Sequence, residues 1–308
     1  MTLCVAVTTA DGLVMGADSM TVVRDGRFTK TYANANKVFE IPGLRLAVMT
    51  YGLGALGRRS IAGLVDEWIA KRPAFEKSNA YTVNDVGQQL GEFVFGHHRR
   101  HREFIEEQTR KSQATALKGE DAGPTLYNPL EWTTGLVIGG YQPGSPFPWL
   151  WRWEEPAHPG VYEGLEQIRP HEGSAGEYGP PSGLDYWGDT TALERLVEGR
   201  DKNLLSSLED RKMLTRSEDF EDIIEEHRWD VLHEGMPLKD AADLAEFALK
   251  VGVGYEHFRK GTPGIGGELD IVVITPSGLH WHERKALTRA LAPRIIAPAI
   301  GDVPKSDE

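Results

Sequence analysis

Cysteine is nearly absent from this 308-residue chain, Cys4 being the only one. That excludes a disulfide framework and any zinc site built on several cysteines, and it fits a reducing compartment. An excess of positive charge is missing too. Forty-six acidic residues stand against 34 basic ones, for a formal charge of −12. Nucleic acid and anionic membrane surfaces would both be repelled by such a chain. No apolar run approaches the ~18 to 20 residues that a membrane span needs. The N-terminus lacks the basic region and apolar stretch of a signal peptide. The expectation is a cytoplasmic globular protein that binds neither nucleic acid nor membrane.

What is present is enough for a core, since apolar residues make up 40% of the chain. Thr2 to Thr9 reads as a strand, Asp11-Gly12 as a two-residue turn and Leu13 to Asp18 as the returning strand. A polar loop is expected from Ser19 to Asn36. A second hairpin follows, Lys37 to Ile41 and Leu44 to Thr50 around Pro42-Gly43. Ile61, Leu64, Val65 and Trp68 recur at helical spacing, and Arg72-Pro73 closes that helix. A longer helix starts after Thr82, with Val86, Leu90, Phe93, His97, His101 and Phe104 on one seam. Trp132 to Tyr141 and Trp149 to Trp153 are predicted strands. The last third reads as a helix capped near Thr215 to Glu218, a helix through Ala241 to Ala248, and a hairpin of Leu269 to Ile274 with Leu279 to Trp281. Residues 108–129 read as an exposed insertion. Residues 155–184, with 11 Gly or Pro, read as a long loop. The expectation is one α+β domain over 1–308 with these two insertions and a frayed tail at 298–308, folded as a four-layer αββα sandwich.

The start of the chain offers chemistry. Removal of Met1 would leave Thr2 with a free α-amine, whose pKa near ~8 lets it accept a proton close to neutrality. A Thr hydroxyl is a weak nucleophile until a base activates it, and its own amine can be that base. With Ala10 paired to Leu13, Asp18 falls opposite Val5, about 10 Å along the strand from Thr2. Asp18 is then placed to hold a cation between them, and Lys37 is the candidate.

These segments resemble proteasome β subunits and their bacterial relatives among the N-terminal-nucleophile hydrolases. The resemblance rests on Thr2, Gly16-Ala-Asp18-Ser19, Asn36-Lys37-Val-Phe-Glu-Ile, Met49-Thr-Tyr-Gly52, Tyr186-Trp-Gly-Asp189 and Gly266-Gly-Glu-Leu-Asp-Ile-Val-Val-Ile-Thr275. It implies that Thr2 is the nucleophile, that Asp18 and Lys37 tune its amine, and that the Gly52 N–H stabilises the oxyanion. It implies a threonine peptidase or amidohydrolase without cofactor or metal. The substrate would be a peptide or protein, and identical chains would form a ring of six or more, with an unfoldase partner unidentified. Asp189 stands where the family has a Ser beside the nucleophile. Thr262 and Ile265 stand where it has an Asp and a Ser. These departures leave open a narrower amidase or an inactive ring subunit.

Other signals compete. Gly52, Gly54 and Gly57 make a GxGxxG between strand and helix, the dinucleotide-binding fingerprint, but the preceding strands read as antiparallel rather than βαβ. His97 and His101 lie one turn apart as a metal pair would, without a third ligand nearby in sequence, so helix packing is expected. Cys4 shares a strand face with Thr2 but has no visible base, and it reads as packing.

Overall fold

The computed structural model describes residues 2–25, 28–56, 59–71, 81–116, 133–155, 165–170, 182–215 and 217–285. Met1, Gly57, Arg72-Pro73, Trp132, the tail 298–308 and parts of both expected insertions lie outside them. In chain order the strands begin with β1 (Leu3–Thr9), β2 (Gly12–Ala17), β3 (Thr21–Asp25), β4 (Phe28–Tyr32), β5 (Val38–Ile41), β6 (Arg45–Gly52), β7 (Ala55–Leu56) and β8 (Arg59–Ser60). Helices α1 (Ile61–Lys71) and α2 (Val83–Ala116) follow, then β9 (Thr134–Tyr141), β10 (Trp149–Glu155), β11 (Leu165–Arg169) and β12 (Gly183–Gly188). Helices α3 (Thr191–Val197), α4 (Lys202–Asp210), α5 (Glu218–Glu226) and α6 (Leu238–Phe258) precede β13 (Asp270–Thr275) and β14 (Gly278–Glu283).

Two five-stranded sheets carry the fold, in the orders β12-β1-β2-β13-β14 and β11-β10-β9-β6-β5, and every pairing in them is antiparallel. Strand β1 is buried along its whole length because both its faces are covered. Cys4 and Ala6 pack with Met49, Val137 and Leu150 of the other sheet. Leu3, Val5 and Val7 pack instead with Leu193, Ala245, Ala248 and Leu249 of α3 and α6. A strand covered on both sides reads as a continuous apolar run, as Leu3 to Val7 does. On the far face of the second sheet, Val86, Leu90, Val94 and Phe95 of α2 meet Trp153, Ile138 and the α1 residues Leu64, Val65 and Trp68.

Several expectations are corrected. The four-layer αββα sandwich is not clearly what the helices make. Among the described residues α2 and α6 supply most of the contact between helices and the two sheets. Helix α1 leans on α2, α3 leans on α6, and α4 buries no residue. The loop expected at 155–184 holds β11 and the start of β12, whose short apolar stretches are masked by flanking Gly and Pro. The polar loop expected at 19–36 holds the ribbon β3–β4, paired from Thr21↔Tyr32 onward. Helix α2 runs 34 residues and carries on into the expected insertion. Its buried stripe rotates toward Val94, Phe95 and His98, so Phe104 is 55% exposed. The first hairpin turns at Ala10-Asp11, not Asp11-Gly12, with Thr9 opposite Gly12 and Cys4 opposite Ala17. That moves Asp18 two positions nearer the chain start than the sequence register placed it. Strand β6 lies antiparallel between β5 and β9, so Gly52 and Gly54 do not open a βαβ unit, and the dinucleotide reading loses its context.

Candidate active site

Thr2 immediately precedes β1 and is 4% exposed. Its carbonyl accepts from the Asp189 N–H at 2.8 Å. The preceding Gly188 has φ +94°, and a Cβ there would lie 1.9 Å from the Thr2 oxygen. The clasp therefore needs glycine.

Asp18 follows β2 and is the organising carboxylate. Its Oδ1 accepts from Leu3 N at 3.0 Å and from Lys37 Nζ at 2.7 Å. Its Oδ2 accepts from Met20 N and Gly266 N, both at 3.0 Å. A buried charge is tolerable only when paired and fully hydrogen-bonded, and Asp18 meets both conditions. Lys37, 6% exposed, is anchored in turn by Thr50 N donating to its carbonyl at 2.9 Å. Ser19 N donates to Gly266 O at 3.0 Å, which ties the Gly266-Gly267 loop to the same corner.

Thr2, Lys37 and Gly52 line one cavity of about 310 Å³, together with Thr21, Asn36, Thr50 and Ser60. Gly52 has φ +87°, which points its backbone where another residue could not follow. The structure thus gathers Thr2, Asp18, Lys37 and Gly52. Asp189 sits beside Thr2 through its backbone N–H, while its carboxylate accepts from Thr191 Oγ1 at 3.0 Å and faces Arg259 at 3.7 Å. Ile265 is buried in the α6-side core. Cys4 is fully buried, and burial pushes its thiol up so that it holds its proton and donates to Thr50 O at 3.5 Å.

Sequence reasoning missed the buried pair Asp270–Lys285, whose side chains are 2% and 3% exposed. An Asp opening the apolar run Asp270-Ile-Val-Val-Ile is the signal that pointed to it, since such an acid needs a cation. It also missed the metal-capable group Asp243, Glu246 and His282, whose ligand atoms lie within 4.8 Å of one another. Both its carboxylates are already held by Lys239 and Lys250.

The sequence matches no protein-family model and no curated protein. The fold does match solved structures. "Helical Assembly of the Anbu Complex from Pseudomonas aeruginosa" is 18% identical, covers 94% of this chain and 90% of its own, and has a TM-score of 0.49. Anbu (ancestral beta-subunit) from Yersinia bercovieri is 16% identical over 91% of this chain and 86% of its own, with a TM-score of 0.47. An Anbu (Gly-1) mutant from Hyphomicrobium sp. strain MC1 is 14% identical over 92% and 86%, with a TM-score of 0.50. At these identities the last of the three shows a shared fold and nothing finer. It corrects the family expectation: the likeness is to Anbu, a distinct fold family, and not to the proteasome β-subunit hydrolases. The reason is physical. The motifs that carried the resemblance are strand ends and glycine turns, which mark hairpin geometry and do not separate one family from the other. No helix among the described residues is long and apolar enough to cross a membrane.

Proposed function

We propose that this chain is a self-associating subunit whose Thr2, N-terminal once Met1 is removed, hydrolyses a peptide or other amide bond. The observation that supports it is the meeting of Thr2, Lys37 and Gly52 on one cavity, with Asp18 bound to Lys37. The Thr2 amine takes the hydroxyl proton as Oγ bonds to the substrate carbonyl carbon. The Gly52 N–H is aimed at the developing oxyanion. The amine then passes the proton to the leaving nitrogen as the C–N bond breaks, leaving an ester on Thr2. Water adds to that ester with the same amine as base, releases the acid and restores the hydroxyl. The Lys37 ammonium disfavours a second positive charge on the amine and so keeps it a proton acceptor.

A second reading is a noncatalytic subunit of a ring or scaffold. The solved neighbours fit it at least as well as catalysis, because at these identities they speak to fold and not to chemistry. Intact-mass measurement on untagged protein separates the two. Loss of Met1, turnover of peptide amides and abolition of turnover in Thr2→Ala with the fold kept are the expected results. Retained Met1, or unchanged turnover in that variant, sinks the catalytic reading.

A further inference from the structure

The ion pair Asp270–Lys285 lies next to the Thr2 cluster and has no part in the mechanism above. Asp270 opens β13 directly opposite Ala17, the residue before Asp18. Lys285 arrives from the end of β14, donates its backbone N–H to Asp270 Oδ1 at 3.0 Å and bonds Oδ2 through Nζ. Two bonds to one carboxylate fix the lysine from both its ends. The charges that act on its amine are Asp270 and Glu268 at the start of β13, Asp18 at the end of β2, and Lys37 ahead of β5. Burial first, and then the Lys37 ammonium, bring the Lys285 amine down to about 8. The two lysines therefore feel each other across the two aspartates, and such coupling is mutual.

We propose that Lys285 is a positioning residue for the Thr2 cluster: clamped by Asp270, it sets a second buried cation beside the Asp18–Lys37 pair and favours the neutral, proton-accepting form of the Thr2 amine. The inference rests on the threonine reading for its chemical consequence, but the charge coupling is independent of it. Between buried groups a like charge is poorly screened, so one extra cation suffices to move the working pH of the amine.

The test follows the rate at which a peptidyl β-lactone acylates Thr2, read by intact mass across pH, on protein lacking Met1. Lys285→Gln keeps a donor to Asp270 but removes the charge, and Lys285→Arg keeps the charge. K285Q is expected to move the acid limb of the profile up by about half a pH unit, roughly a threefold loss of rate on that limb. K285R is expected to restore the wild-type limb. Folded K285Q with an unmoved limb overturns the proposal, because a merely structural role alters amplitude and not pH dependence. A second measurement stands apart from acylation: the titration of Lys285 in lysine-13Cε-labelled protein. It is expected near 8 in the wild type and higher in Lys37→Met; an identical midpoint in the two overturns the coupling. Wild-type protein that never acylates while Lys285 responds to Lys37→Met overturns the threonine reading and leaves the coupling in place.

Discussion

Single positions around Thr2 are held by backbone contacts that tolerate little change. Gly52 is the sharpest case. A Cβ there would lie 2.0 Å from the Thr133 carbonyl, and φ is +87°. Gly52→Ala is expected to lower stability by at least ~2 kcal/mol, since left-handed strain and overpacking each cost about 1 to 3. Chemical denaturation checks this, and an unchanged midpoint would refute it. Glu256 is a quieter residue with a longer reach. Buried to 2% exposure, it accepts from Gly264 N at 3.0 Å and from Arg259 at 2.9 Å. It thereby pins the loop whose Gly266 N–H reaches Asp18. Glu256→Ala leaves the Gly264 donor unpaired and is expected to cost ~1 to 3 kcal/mol together with any Thr2 reactivity. Thr2, Asp18, Lys37 and Gly52 were legible in the sequence because each sits at a strand end or turn that the apolar pattern marks. Lys285 was not legible, because its partner and its neighbours come from three separate strands. Asp189 was legible as the residue beside Thr2, but not the partners of its side chain, Thr191 and Arg259, because the latter comes from a distant element.

At the scale of elements, α2 shows how packing chooses among residues that periodicity treats alike. The seam through Phe93, His97 and Phe104 follows a regular spacing, but a 34-residue helix drifts around its axis relative to a flat sheet. The contact with β10 selects Gly91, Val94 and Phe95 instead. At Gly91 a Cβ would come within 2.1 Å of the Trp153 ring, whereas at Gly96 the nearest atom is Arg100 at 3.9 Å. Gly91→Ala is thus expected to destabilise by ~1 to 3 kcal/mol by overpacking. Gly96→Ala, in open space, is expected to stabilise by ~0.5 to 1 kcal/mol through backbone entropy. Thermal unfolding of the two variants distinguishes them, and shifts of the same sign would contradict this packing. The histidines of α2 add a pH dependence. Burial lowers the proton affinity of His97, helped by Arg100, and that of His101, helped by His98. The unfolded chain therefore binds protons that the folded chain refuses. Their contribution is fully present above pH ~6.5 and is lost as pH falls through the lowered folded values. The double variant His97→Gln/His101→Gln is expected to show a shallower fall in Tm between pH 7 and 5. A wild-type slope in that variant would show the acid loss lies elsewhere. The ribbon β3–β4 and helices α3 and α4 escaped the sequence reading because they bury little or are short, so no strong period announces them.

At the scale of the whole molecule, the proposed self-association needs an exposed contact surface. The aromatic strand Trp149 to Trp153 and the end of the α2 seam at Phe104 are two apolar stretches that a contact surface could use. The structure divides them. Trp153 is 5% exposed and lies tilted against Phe95 with ring centroids 5.2 Å apart, while Trp149 and Trp151 pack partly against the same core. That strand is occupied within its own subunit. Apolar area remains elsewhere: Phe104 on the overhanging end of α2, and Trp229 against Phe247 beside α6, these two rings 6.3 Å apart at 47% and 44% exposure. Paired exposed aromatics are costly to leave in water, and neighbouring copies of the chain are an available cover. The charge of −12 opposes association between identical chains at low ionic strength. Screening shortens that repulsion to ~8 Å at physiological salt and leaves apolar contact untouched. We therefore predict a homo-oligomer, closed if the rotation between neighbours allows and an open helix if it does not. Its mass should rise with salt from low to physiological ionic strength. Light scattering at micromolar concentration checks both statements. A monomer of 34.1 kDa at every ionic strength would defeat the prediction, and a mass that falls as salt rises would show that opposite charges, and not these aromatics, join the subunits.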